Sequence, residues 1–139
     1  KYVTGLDKVR SVFNRAPVEF QRRIAVALNR SLEEIKDAAE TLVPVDTGSL
    51  KRDIQIENRG LEVRKDGRAI VGRVIVGTQK GTAMEAFRQE FGRAPGPDGH
   101  PGHEPQTFFF TAYHAKRKRV RGRVTRAVNA AAKAMSNGR

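Results

Sequence analysis

"VPVDTGSL", residues Val43–Leu50, decides the fold because it admits two opposite readings. Asp-Thr-Gly after a short apolar run is how an aspartic protease presents its catalytic carboxylate. It is also what a helix stop followed by a tight turn looks like. Protease chemistry needs two such carboxylates close enough to share one proton, which a short chain supplies only as a homodimer. It also needs a nearly all-β fold. "AIVGRV", Ala69–Val74, could pass for the second glycine motif, but it lies too near Asp46 for the strands between. The turn has a mechanism of its own. Pro44 disfavours helical geometry at the residue before it, Asp46 can accept a backbone N–H two residues on, and Gly48 supplies any positive φ. On this reading Pro44, Asp46, Thr47 and Gly48 form a structural turn that launches a strand at Leu50, and no residue is catalytic.

The flanks favour the turn. Upstream, Phe20, Ile24, Ala27, Leu28, Leu32, Ile35, Ala39 and Leu42 recur at three- and four-residue steps, the period of an amphipathic helix. From Pro17, which suits a first turn, to Leu42 this helix would be about 39 Å long at 1.5 Å per residue. Residues 1–16 read as an N-terminal extension with a short helix over Asp7–Asn14. Lys1 in place of Met suggests a trimmed natural N-terminus.

Downstream the period changes to two. Ile54 and Ile56, then Leu61 and Val63, alternate with polar residues, with a phase slip at Gly60 that reads as a bulge or a turn. Lys65-Asp66-Gly67-Arg68 has the Asp-Gly signature of a tight hairpin, and Ala69–Val76 follows as an apolar strand. Thr82 is expected to cap a short helix carrying Met84, Phe87 and Phe91 and ending at Gly92. The stretch "GRAPGPDGHPGHEP", Gly92–Pro105, cannot be regular structure. Thr107 is expected to cap a second long helix to about Ser136, with Phe109, Tyr113, Val120, Val124, Ala127, Ala131 and Met135 on its apolar side. The expectation is a single α+β domain with a body over 17–136, a two- or three-stranded antiparallel sheet, a short helix, a long Gly/Pro loop over 93–105 and a basic C-terminal helix.

Composition narrows the chemistry. The chain has no cysteine, which removes disulfides, thiol catalysis and cysteine zinc sites. No apolar run reaches the roughly 20 residues of a membrane span, and no stretch reads as a secretory signal. There is no Walker-type loop and no G-x-G-x-x-G, and Ser11, Ser31, Ser49 and Ser136 have no histidine nearby in sequence. His100, His103 and Glu104 form an H-x-x-H-E cluster, but a Gly/Pro-rich loop does not make such ligands converge, and His114 lies on the following helix. Solvated loop histidines, with no metal and no cofactor, are expected.

The net charge is +12, and of 27 Lys/Arg nine lie beyond Glu104, where there is no acid at all. Within "KRKRVRGRVTR", Lys116, Arg117, Lys118, Arg119, Arg121, Arg123 and Arg126 spread around most of a helix. Such a segment suits sequence-independent phosphate contact or an acidic protein face, and the residues alone leave both open. Phe108, Phe109, Phe110 and Tyr113 lie upstream of the cations and are not interleaved with them, so they read as a core anchor rather than a base-stacking platform.

In order, these pieces resemble one family, the neck, tail-completion or minor tail proteins of long-tailed bacteriophages and related prophages. A long helix runs into "VPVDTGxL(R/K)", matched by Val43–Lys51, and a strand follows at Asp53–Ile56. Then come a "VG" strand end at Val76-Gly77, an "EFG" helix end at Glu90-Phe91-Gly92, a Pro-containing loop and a Phe-rich start to the final helix over Pro105–Ala112. The resemblance covers about Ala25–Ala130. Departures are Arg93 where the family often has Thr, "QTFFFTAY" where it usually reads like "PFLRPA", and a long loop from Arg93 to Glu104.

The resemblance implies a non-enzymatic structural component of the virion neck or tail. It would form a hexameric or dodecameric ring with copies of itself around the DNA channel, assembled in the host cytoplasm without a membrane. Its neighbours would be head-completion or connector proteins and tail-terminator or tail-tube proteins. It also implies that Phe91, Phe108, Phe109, Phe110 and Tyr113 hold the core and subunit interface. Arg93, His100, His103 and Glu104 would reach a neighbouring ring, and the basic helix would face packaged DNA or an acidic partner. The competing class is a free, sequence-non-specific nucleic-acid-binding protein, for which the basic helix is the argument.

Overall fold

A computed structural model describes residues 18–44, 48–64 and 67–137, with backbone alone for 58–64, 67–69 and Lys80. The expected helix over Asp7–Asn14, the Asp46-Thr47 half of the turn and the Lys65-Asp66 hairpin tip lie outside the described residues. The elements in order are α1 (Val18–Leu42), α2 (Ser49–Arg52), β1 (Gln55–Arg64), β2 (Gly67–Ile75), α3 (Lys80–Phe91) and α4 (Phe109–Asn137). Strands β1 and β2 form a two-stranded antiparallel sheet, so the architecture is α+β.

The long helices form where the period-3.6 pattern placed them. Helix α1 buries Phe20, Ile24, Leu32, Ile35 and Ala39, one stripe at helical spacing. It stops before Pro44, as expected from proline's effect on the preceding residue. The last turn departs from the expected stripe: Leu42 is exposed and Val43 is buried in its place. In α4 the buried positions are Ala112 and Ala131, with Phe108 just ahead of the helix. Tyr113, expected on the apolar side, is exposed. The small Ala112 gives close approach to Ala38 and Ala39 where a tyrosine ring would not fit.

Two packing units result. One comprises Lys1–Ser31, Asn58–Gly72 and Val120–Arg139, and its described core is Phe20, Ile24 and Ala131 with Ile70, Val128 and Met135 against them. The other comprises Leu32–Glu57 and Arg73–Arg119. Its core is Ala39, Val43, Leu50, Ile54, Ala86, Phe108 and Ala112.

Three expectations change. Leu50 does not start a strand but sits in the helical turn α2, 2% exposed in the core, and the strand begins only at Gln55. Burying Leu50 needs one turn of helix to aim it inward before the chain can extend. Gly60 is not a turn between strands, since β1 runs unbroken through it to Arg64. Neither Thr82 nor Thr107 caps a helix. Thr82 lies inside the first turn of α3, whose N-cap position is Gln79, and Thr107 shares a hydrogen bond with Thr111.

Glycine marks the corners. Gly48 precedes α2 at φ +70°, and a Cβ there would meet only the Arg52 guanidinium at 3.1 Å. Gly77, after β2, has φ +77°, and its Cβ would fall 2.6 Å from the Ala83 Cα. Left-handed backbone costs a residue with a Cβ about 1–2 kcal/mol, and at Gly77 a backbone clash adds to it. Gly48→Ala should therefore lower stability by about 1 kcal/mol and Gly77→Ala by more than about 2 kcal/mol. Urea denaturation of the two variants checks the order.

Candidate functional site

Two buried carboxylates organise the unit built from Leu32–Glu57 and Arg73–Arg119. Asp53, 2% exposed, ends α2. It accepts the Thr78 backbone N–H at 2.7 Å and the hydroxyls of Thr78 and Thr82. Burial pushes its carboxyl up, but the Thr78 and Thr82 hydroxyls and the backbone N–H groups of Thr78 and Gln79 outweigh burial and hold it below the usual carboxylate value. The residues after β2 are thus tied to the end of α2.

Glu90, 5% exposed, does the equivalent for α4. Its carboxylate accepts the backbone N–H groups of Phe108 and Phe109 at 3.0 Å and of Phe110 at 3.1 Å. These are donors that a helix start leaves without intrahelical partners, and a negative charge there is favoured by the helix dipole. Glu90 is therefore the N-cap of α4, supplied from another helix.

These two ties set the orientation of α3. Its buried face is Thr82, Ala86 and Glu90, spaced by four. Its bulky apolar side chains, Met84, Phe87 and Phe91, point to solvent at 55%, 60% and 57% exposure, values more typical of a polar surface. Phe87 and Phe91 rings lie 4.9 Å apart, and Phe91 is 6.2 Å from Phe110, itself 49% exposed. The five aromatics read as one anchor thus divide. Phe108 is fully buried and Phe109 half-buried, while Phe91, Phe110 and Tyr113 are exposed. An exposed cluster of this kind marks an interaction surface, and sequence reading missed Met84 and Phe87 as parts of it.

The Gly/Pro loop is irregular, as expected, but held. Arg93 N–H donates to the His103 carbonyl at 3.0 Å and His103 N–H to the Arg93 carbonyl at 2.8 Å, closing the loop at its neck. The Arg93 guanidinium pairs with Asp98 at 3.1 Å. His100 Nδ1 accepts the Gly102 N–H at 2.9 Å. Glu85, Arg88, Gln89, Arg93, His100 and His103 line an open depression of about 220 Å³ between α3 and the loop. It gathers three of the four loop candidates, and Glu104 is exposed outside its lining. Among the described residues no group of three His, Asp or Glu converges as for a metal.

The basic helix sorts its charges by face. Lys116 Nζ and Arg119 Nε reach Glu34 Oε1 on α1 at 3.9 Å and 3.1 Å, and Arg123 donates to the Ser31 hydroxyl at 3.0 Å. These three hold helices together. Arg117, Lys118, Arg121 and Arg126 are exposed and have no ion pair among the described residues. Of the described helices, none is long and apolar enough to cross a membrane.

Two checks follow. Glu90→Ala should cost about 1–2 kcal/mol as a lost cap, with Glu90→Gln, which keeps one acceptor oxygen, recovering part of it in thermal melts. Because the folded Asp53 carboxyl titrates below its unfolded value of about 3.9, its stabilisation is fully present above that value and is lost as pH falls through the folded one. Asp53→Asn should flatten that acid limb of a stability-versus-pH curve.

One protein-family model matches this chain, over residues 7–92, and its description is "Bacteriophage HK97-gp10, putative tail-component". No curated protein and no solved structure matches it.

Proposed function

Since the chain belongs to the HK97-gp10-like family of bacteriophage tail components, we propose that it is a non-enzymatic subunit of a ring in the neck or tail end of the virion. It completes the tail or joins it to the head around the DNA channel. The observation that carries this reading is the family match over most of the chain, and the outward face of α3 supplies what assembly needs. A fold that turns Met84, Phe87 and Phe91 to solvent and spends Asp53 and Glu90 on backbone donors is built for contact rather than catalysis.

In this role the aromatic cluster lies between subunits. The clamped loop from Arg93 to Glu104 reaches a neighbouring connector, terminator or tube ring. The exposed cations of α4 face either packaged DNA or an acidic protein, and many modest contacts per ring add through multivalency. The protein then resides in the virion, reached by assembly in the host cytoplasm.

Phe91→Asp tests the reading in the phage that carries this gene. An exposed ring whose loss forfeits about 0.5–1.5 kcal/mol of aromatic contact leaves the fold intact. The expected outcome is a soluble, folded chain by circular dichroism, with tails that fail to complete or join in negative-stain micrographs. Normal particles with Phe91→Asp, and with the chain absent from purified tails, would contradict it.

A further inference from the structure

Inside the unit formed by Leu32–Glu57 and Arg73–Arg119, the charges left over after internal pairing separate cleanly by helix. On α4, Lys116 and Arg119 are bound to Glu34, which leaves Arg117 and Lys118 exposed. Both follow Phe110 and Tyr113 along the helix, the two exposed aromatics of α4. On α1, Lys36 is bound to Glu40, which leaves Glu33 and Asp37 exposed with no ion pair among the described residues. One unit therefore carries a cationic ridge continued by an aromatic cluster, and an acidic ridge one helical turn long.

We infer that the partner of the cationic ridge is the acidic ridge of a second copy of this chain: Arg117 and Lys118 of one copy lie against Glu33 and Asp37 of the next. The spacing supports an antiparallel contact. Lys118 lies eight residues past Phe110, about 12 Å along the axis, and Leu42 lies nine past Glu33, about 13.5 Å. With Glu33 set against Lys118, Leu42, exposed at the end of α1, comes level with the aromatic cluster, which widens sideways through Phe91 and Phe87. Carboxylates then meet ammonium and guanidinium groups while an apolar side chain covers apolar rings. Because the two ridges are different surfaces, the contact is heterologous, and repetition closes a ring or extends a filament.

Isolated surface ion pairs contribute little, so the charges select the partner and its register while the rings exclude water. Duplex DNA is the less suited partner: two free cations beside an aromatic cluster and exposed carboxylates make a poor phosphate track.

This inference rests on the ring reading above, and the experiment separates the two. One variant carries Arg117→Glu and Lys118→Glu, and a second carries Glu33→Arg and Asp37→Arg. All four side chains are exposed, so both variants should fold. By light scattering and sedimentation the wild type self-associates. Each variant alone should do so at least about a hundredfold more weakly, the order expected when like charges are juxtaposed. The equimolar mixture should regain association, because each variant's reversed ridge meets the other's unaltered one.

A wild type that stays monomeric at its highest soluble concentration overturns the inference, as does a mixture no better than its parts. So does a salt-sensitive affinity for duplex DNA that Arg117→Glu and Lys118→Glu abolish in a monomeric chain. Incorporation of both variants into tails at wild-type levels overturns the contact while leaving the tail reading intact. Rescued association with a chain absent from tails does the reverse.

Discussion

A carboxylate taken out of water has to be met by donors, and Glu90 is met by three backbone N–H groups at the start of α4. Much of the unit follows from that contact. It fixes where α4 begins, brings fully buried Phe108 into the core beside Ala39 and Ala86, and fixes which side of α3 faces inward. With Glu90 inside, Ala86 and Thr82 are inside as well, one and two turns earlier. Met84, Phe87 and Phe91 then have nowhere to point but solvent. The apolar surface available for assembly is thus the by-product of a polar requirement at a helix end.

Asp53 applies the same principle at the other end of α3. Its carboxylate collects the Thr78 N–H and two threonine hydroxyls, so the chain leaving β2 has to return to α2 before α3 can start. Gly77 makes that return possible, because any Cβ would strike the backbone of Ala83. Gly92, at φ +80°, does likewise at the far end of α3, where a Cβ would press on the His103 carbonyl and on Pro105 at 3.0 Å. The "DTG", "VG" and "EFG" motifs therefore share one physical meaning. Each contains a glycine at a corner that no other residue turns without strain, and the last adds the carboxylate that caps α4.

Electrostatics divides along the same lines. The excess positive charge of the C-terminal quarter reads as a single cationic element in one dimension. In three, Glu34 and Ser31 take up part of it as helix-to-helix contacts, and only the remainder faces outward. A surface assembled this way carries a few placed charges beside exposed rings, which suits recognition of a defined protein face better than broad attraction to phosphate.

The sequence by itself determined whatever depends on local pattern. The 3.6-residue period of Phe20 to Ala39, the stop at Pro44, the Asp-Gly hairpin and the helix end at Gly92 follow from neighbours a few residues apart, as does the ordered series of motifs that resembles phage neck and tail proteins. The tertiary structure alone decided what depends on partners distant in sequence. Leu50 enters a helical turn rather than a strand because the core needs it. Glu90 rather than Thr107 caps α4, because a carboxylate 18 residues away reaches the Phe108 N–H first. The aromatic side of α3 faces outward because the inner face had to be polar at both ends. Periodicity marks which residues share a face, but which face is buried depends on where the unsatisfied backbone donors of another element lie.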